Sequence, residues 1–211
     1  MSKTRIKLTI FMAVAIVFSS CSQMDKNSKY EPITPDIELT ADEIAAGILT
    51  PEVLWKFGRL GGAQVSPDGE SVVFTITRYS MEANRGVTNI YTVPVKGGEP
   101  VELTTNATND FSPRWTADGK RIGFLSSRDG STQLWEMSPD GSNTRQVTFI
   151  EGGINSFSYA SSDDRILYTK NVQIEKTTKD VHPDMPKANV RLIDHLMYRH
   201  WNFWRDGSYS H

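Results

Sequence analysis

One cysteine stands among the 211 residues, so the chain can form no internal disulfide and no thiolate metal cluster. Histidine is almost as scarce, and all four lie late, at His182, His195, His200 and His211. There is no His-Glu-x-x-His and no phosphate-cradling Gly-x-x-x-x-Gly-Lys. His195 and His200 are five residues apart, on different faces of any helix, which argues against a shared metal. A Gly-x-Ser-x-Gly nucleophile elbow is also missing. Its nearest likeness, Gly69-Glu70-Ser71-Val72-Val73, lacks the last glycine and leads into a strand, so Ser71 reads as a turn residue. No catalytic residue, metal or cofactor is therefore expected. Nor is there an excess of positive charge. Lys and Arg total 23 against 25 Asp and Glu, which excludes the basic stripe of a nucleic-acid binder.

No apolar run is long enough to span a bilayer, which takes ~20 residues. The longest is Leu8–Phe18, and it follows Lys3, Arg5 and Lys7. A basic start and a short apolar core make Met1–Cys21 an export signal. Phe18-Ser19-Ser20-Cys21 resembles the lipobox of bacterial lipoproteins, with Phe18 where Leu is usual. That implies a lipid on Cys21, anchorage to a membrane by acyl chains, and a place facing the periplasm or the cell surface. Losing Lys3, Arg5 and Lys7 leaves 20 basic and 25 acidic side chains, a net charge of −5.

Residues 22–38, with Pro32 and Pro35, read as a flexible tether. The rest, residues 39–211, reads as one domain that opens with two short helices. Thr40-Ala41-Asp42-Glu43 fits a capping box. Thr50-Pro51-Glu52 fits an N-cap with Pro at the first helical position, and Gly61-Gly62 is expected to end that second helix.

What the chain has in quantity is one repeated phrase. Val65-Ser66-Pro67-Asp68-Gly69 precedes Val72-Val73-Phe74, and Trp115-Thr116-Ala117-Asp118-Gly119 precedes Ile122-Gly123-Phe124. A weaker copy, Ser161-Ser162-Asp163-Asp164, precedes Ile166-Leu167-Tyr168. Asp bonds nearby backbone and Gly accepts positive φ, so each phrase makes a tight turn. The β-branched and aromatic residues behind it make a strand. Two copies carry a further hairpin. Asn89–Val93, Lys96-Gly97-Gly98 and Pro100–Thr104 form the first; Gln133–Met137, Pro139-Asp140-Gly141 and Thr144–Thr148 form the second. Four strands in roughly 40–50 residues is the length of one propeller blade. The fold expected is all-β: a partial β-propeller of two complete four-stranded blades and the start of a third.

The third unit is interrupted over residues 171–211, which read as a helical insertion. Residues 172–187, with Pro183 and Pro186, read as a loop. Ile193, Leu196, Met197, Trp201 and Trp204 recur at spacings of three and four, which predicts a helix over 189–204. Insertions on one face of a propeller often build its binding face. Tyr198, Arg199, His200 and Trp201 are the candidate substrate-facing residues, with Arg199 or His200 able to bond a peptide carbonyl.

This order of signal, short helix, Ser66-Pro67-Asp68-Gly69, repeat and Leu196-Met197-Tyr198-Arg199-His200-Trp201 resembles the N-terminal half of prolyl-oligopeptidase-family serine peptidases. The resemblance covers about residues 50–211 and is nearest to the dipeptidyl peptidase V and acylaminoacyl-peptidase-like members. Where that group continues with Asp, this chain has Asn202. The resemblance implies a propeller that gates peptide access to an α/β-hydrolase domain carrying the catalytic triad, a domain this chain lacks. Related dipeptidyl peptidases hold the substrate amine with glutamates on a propeller insertion; Glu175, Asp180, Asp184 and Asp194 lie in the insertion here. The same turn repeat occurs in TolB-like propellers, so the competing reading is a non-enzymatic propeller that binds a protein partner in the periplasm.

Overall fold

The computed structural model describes residues 38–161, 165–193, 196, 199–201, 203, 204 and 207–211. The signal, Cys21 and all of the tether but Glu38 lie outside that set.

Two short helices lead in. In α1 (Ala41–Ala46) the Thr40 and Glu43 side chains each bond the other's backbone N–H, the capping box expected. Thr50 caps α2 (Pro51–Lys56), and α2 buries Val53. This helix stops at Lys56 with Phe57 already extended. Gly61-Gly62 does not end it; both glycines lie inside the first strand, β1 (Arg59–Val65). Gly62 has φ 62° at a break in the β1 pairing register. Ser112, fifty residues on, has φ 53° at the matching break. The positive φ serves a β-bulge repeated in both blades, not a helix stop.

The first blade orders β1, β2 (Ser71–Ser80), β3 (Arg85–Pro94) and β4 (Val101–Glu102) side by side, with every neighbouring pair antiparallel. The second does the same with β5 (Asp110–Trp115), β6 (Ile122–Ser126), β7 (Gln133–Met137) and β8 (Arg145–Gln146). The repeated turn closes identically in each. Ser66 N–H donates to Ser71 O at 2.8 Å, and Thr116 N–H to Arg121 O at 2.9 Å. A third unit starts with β9 (Ser156–Tyr159) paired to β10 (Ile166–Thr169). The flanks of its turn pair in kind, Ala160 N–H to Arg165 O at 3.0 Å.

Alternation along the strands sends one side chain set to each face of a blade, so the core lies between blades. Val73 and Ile90 of the first blade meet Trp115, Ile122, Phe124 and Met137 of the second. Leu125 and Leu134, on the other face of the second blade, meet Ile154, with Phe157 and Ile166 of the third unit packed against them. The middle blade is covered on both faces. The outer face of the first blade is not: Val65 is 54% exposed where its counterpart Trp115 is 7% exposed.

Candidate substrate-facing insertion

Strand β10 runs on through Lys170 into β11 (Asn171–Gln173), which a loop reading of residues 172–187 did not foresee. The chain then leaves, makes α3 (Thr178–Val181), and turns through Pro183 and Pro186. The helix expected over 189–204 does not form among the described residues. Asn189–Ile193 is irregular, and a hairpin follows, β12 (Arg199–His200) paired to β13 (Phe203–Trp204). The chain returns as β14 (Ser208–Ser210), antiparallel to β11. Among its described residues, the insertion is thus a loop with a four-residue helix and two short ladders. The physical reason is burial. A periodic apolar stripe makes a helix only if a surface covers it. Leu192, Ile193, Leu196 and Trp201 are all exposed, and Phe203 and Trp204 take the extended backbone that aromatic residues favour. Trp201, at φ 53°, makes the turn between the two strands.

The two ends of the insertion are tied together. Lys170 and His211 exchange backbone hydrogen bonds, both 2.8 Å. Ile174 and Glu175 N–H groups donate to Gly207 O at 3.0 and 3.2 Å. The Tyr209 hydroxyl donates to Glu175 Oε1 at 2.5 Å. Thr177 caps α3 and Asp180 completes the capping box, accepting from Thr177 N–H at 2.8 Å and from its hydroxyl at 2.6 Å. Those bonds, the Thr177 hydroxyl foremost, hold the Asp180 carboxyl below its ordinary range. Glu175 and Asp180 are therefore engaged within the insertion, and Asp184 is exposed. Asp194 lies outside the described residues.

Of the four candidate residues, Tyr198 lies outside the described residues. Arg199, His200 and Trp201 are all exposed, Trp201 at 85%. The His200 and Trp201 rings meet edge-on, centroids 6.2 Å apart. Arg199 stands directly across the ladder from Trp204, its guanidinium 5.2 Å from the indole centroid. Arg191 reaches the same ring at 4.9 Å. The described residues of the hairpin thus offer guanidinium and imidazole donors beside exposed indoles, which suits carbonyl or carboxylate groups, and no nucleophile–base pair lies among them. Among the described residues, no group of His, Cys, Asp and Glu is placed to hold a metal ion. Reading the stretch as a helix hid Arg191 and the Arg199–Trp204 pair. The strand propensity of Tyr198-Arg199-His200-Trp201 was the signal that could have shown the cross-strand partnership.

Two blades and an interrupted third define a class: an open section of a β-propeller. The family model described as the TolB beta propeller domain matches residues 40–194, and the chain belongs to that family. It is 33% identical over 204 residues to dipeptidyl-peptidase 5 of Porphyromonas endodontalis, covering 97% of this chain and 28% of that protein. It is 39% identical over 156 residues to dipeptidyl-peptidase 5 of Porphyromonas gingivalis, covering 74% of this chain and 23% of that one. The solved structure of an acylaminoacyl peptidase in complex with Z-Gly-Gly-Phe-chloromethyl ketone shares the fold at a TM-score of 0.57 and 18% identity, over 74% of this chain and 23% of that one. The chain corresponds to the propeller part of a prolyl-oligopeptidase-family peptidase, and spans about a quarter of the length of these relatives.

Proposed function

We propose that this chain is the exported, lipid-anchored propeller part of a serine exopeptidase of dipeptidyl- or acylaminoacyl-peptidase type. In this reading the propeller screens peptides by size and completes the cavity of an α/β-hydrolase domain outside the present span. Arg199, His200 and Trp201, with Tyr198, face that cavity. The observation that carries the reading is the match to dipeptidyl-peptidase 5 over 204 residues, a length that takes in the insertion and not only the repeated turns. A TolB-like protein-binding propeller shares the family match, but the turn repeat alone would account for that.

The test uses the whole gene product. It should label with a fluorophosphonate serine reagent and release dipeptides or acyl-amino acids from chromogenic substrates. Residues 22–211 alone should do neither, because the nucleophile and its base lie elsewhere. Turnover by residues 22–211, free of contaminating protease, would overturn the assignment. Cells fed a palmitate analogue should label the wild type and not Cys21→Ser; equal labelling of both rejects the lipid anchor.

A further inference from the structure

Arg191 and Arg199 converge on one side chain. Their guanidinium groups sit 4.9 and 5.2 Å from the centre of the Trp204 ring, so two positive charges share a single indole. They reach it from different segments, Arg199 across the β12–β13 ladder and Arg191 from the irregular stretch before it. Stacking on an aromatic face is attractive for each cation and leaves the N–H edges of its guanidinium able to donate. Neither arginine belongs to any ion pair among the described residues. Of the described acids of the insertion, Glu175 accepts from Tyr209, Asp180 accepts from Thr177, and Asp184 is exposed and in no ion pair with either arginine.

We propose that Arg191 and Arg199, held by Trp204, form a subsite for a peptide carboxylate. The planar guanidinium fork matches a carboxylate in two parallel hydrogen bonds. The paired stack fixes both forks before the ligand arrives, which lowers the ordering cost of binding. The carboxylate comes either from an acidic side chain or from the C-terminus of a short peptide. This rests on the peptide-cleaving reading above and narrows it to a preference for anionic peptides.

The experiment titrates the whole gene product, purified in mild detergent, with three blocked peptides, following indole fluorescence and calorimetry. The peptides are acetyl-Gly-Phe-Glu-amide, acetyl-Gly-Phe-Gln-amide and acetyl-Gly-Phe-Gln with a free C-terminus. At least one carboxylate peptide should bind about tenfold tighter than the neutral amide, and which one does identifies the source. The preference should shrink in high salt. Arg191→Lys should keep part of it, and Arg191→Glu should reverse it. Circular dichroism checks that each variant is folded; Arg199→Gln provides the second route if Arg191→Glu is not. Equal affinity for all three peptides, or a preference that survives loss of either arginine, overturns the subsite. Peptide turnover with no anionic preference rejects this inference alone. Carboxylate binding with no turnover rejects the peptidase reading alone.

Discussion

Asp68, Asp118 and Asp140 do one job in three turns. Each carboxylate accepts a hydroxyl from a neighbouring Ser or Thr: Ser66 at 2.5 Å, Thr116 at 2.7 Å and Ser142 at 2.6 Å. Each also accepts the backbone N–H two residues on, from Glu70, Lys120 and Ser142. These bonds, the hydroxyls first, hold all three carboxyls below their ordinary range. A lowered folded pKa favours the folded state above the unfolded value, near pH 3.9, and that advantage is lost as pH falls through the folded value. Replacing Asp68 and Asp118 together by Asn should flatten the loss of stability below about pH 4, read by urea unfolding across pH. An acid limb as steep as in the wild type would show that the turns do not contribute to it.

Gly123 is a second residue whose role is physical. A Cβ placed there would lie 2.8 and 2.9 Å from Cζ and Cε2 of Tyr159, whose ring comes from the next unit and fills that space. The Tyr159 hydroxyl donates to Glu136 Oε1 at 3.0 Å, and Glu136 also pairs with Arg145 at 2.9 Å. Burial and the Glu136 charge push the Tyr159 phenol well above its ordinary range, so it stays a donor at any working pH. Gly123→Ala should cost about 1–3 kcal/mol through crowding. In a Tyr159→Ala background the cost should largely vanish, since the clash is gone. Additive effects in that cycle would refute the contact.

At the scale of elements, the second blade is bolted at one end by a buried ion pair. Asp110 opens β5 and is fully buried; it accepts from Arg128 Nη2 at 2.9 and 2.8 Å and from Asn106 Nδ2. Arg128, just past β6, stacks on Phe124 and Trp135 at 5.2 and 4.8 Å. Breaking a buried pair by removing one partner leaves an uncompensated charge, at about 3–5 kcal/mol. Asp110→Ala should lower stability by that order, while Asp110→Leu with Arg128→Met should recover most of it, as chemical denaturation would show. A loss under about 1 kcal/mol for Asp110→Ala would mean that water reaches the site. The first blade has Leu60 at the place of Asp110, so this bolt belongs to one blade and not to the repeat.

At the scale of the molecule, stability in a propeller comes from blades covering one another. The second blade has neighbours on both sides, and its Ile122, Phe124 and Leu125 are wholly buried. The first blade leaves Val65 and Leu60 exposed, with Val72 and Phe74 half-covered at the places of Ile122 and Phe124. Each apolar side chain left open forgoes about 1.5–3 kcal/mol, against a domain stability of ~5–15 kcal/mol. Residues 22–211 produced alone should therefore be marginally stable and self-associate through that face and the strand edges. Size-exclusion chromatography with thermal unfolding tests this: a monodisperse monomer melting sharply above ~45 °C would contradict it.

The sequence by itself determined the turns, the strands behind them, the caps of α1 and α2 and the blade repeat. Those are local: a Ser-Pro-Asp-Gly turn closes through atoms two to five residues apart. Only the tertiary structure decided that Gly61-Gly62 belongs to a bulged strand, that Tyr159 enters the space over Gly123, and that Asp110 holds Arg128. It also decided that the described residues of the apolar period across 189–204 yield a hairpin and not a helix, and so set Arg191 and Arg199 on one indole. Each of these depends on what lies across a strand ladder or an interblade gap. A period of three and four records which residues could share a face, while the presence of a surface to cover that face is settled by residues far off in the chain.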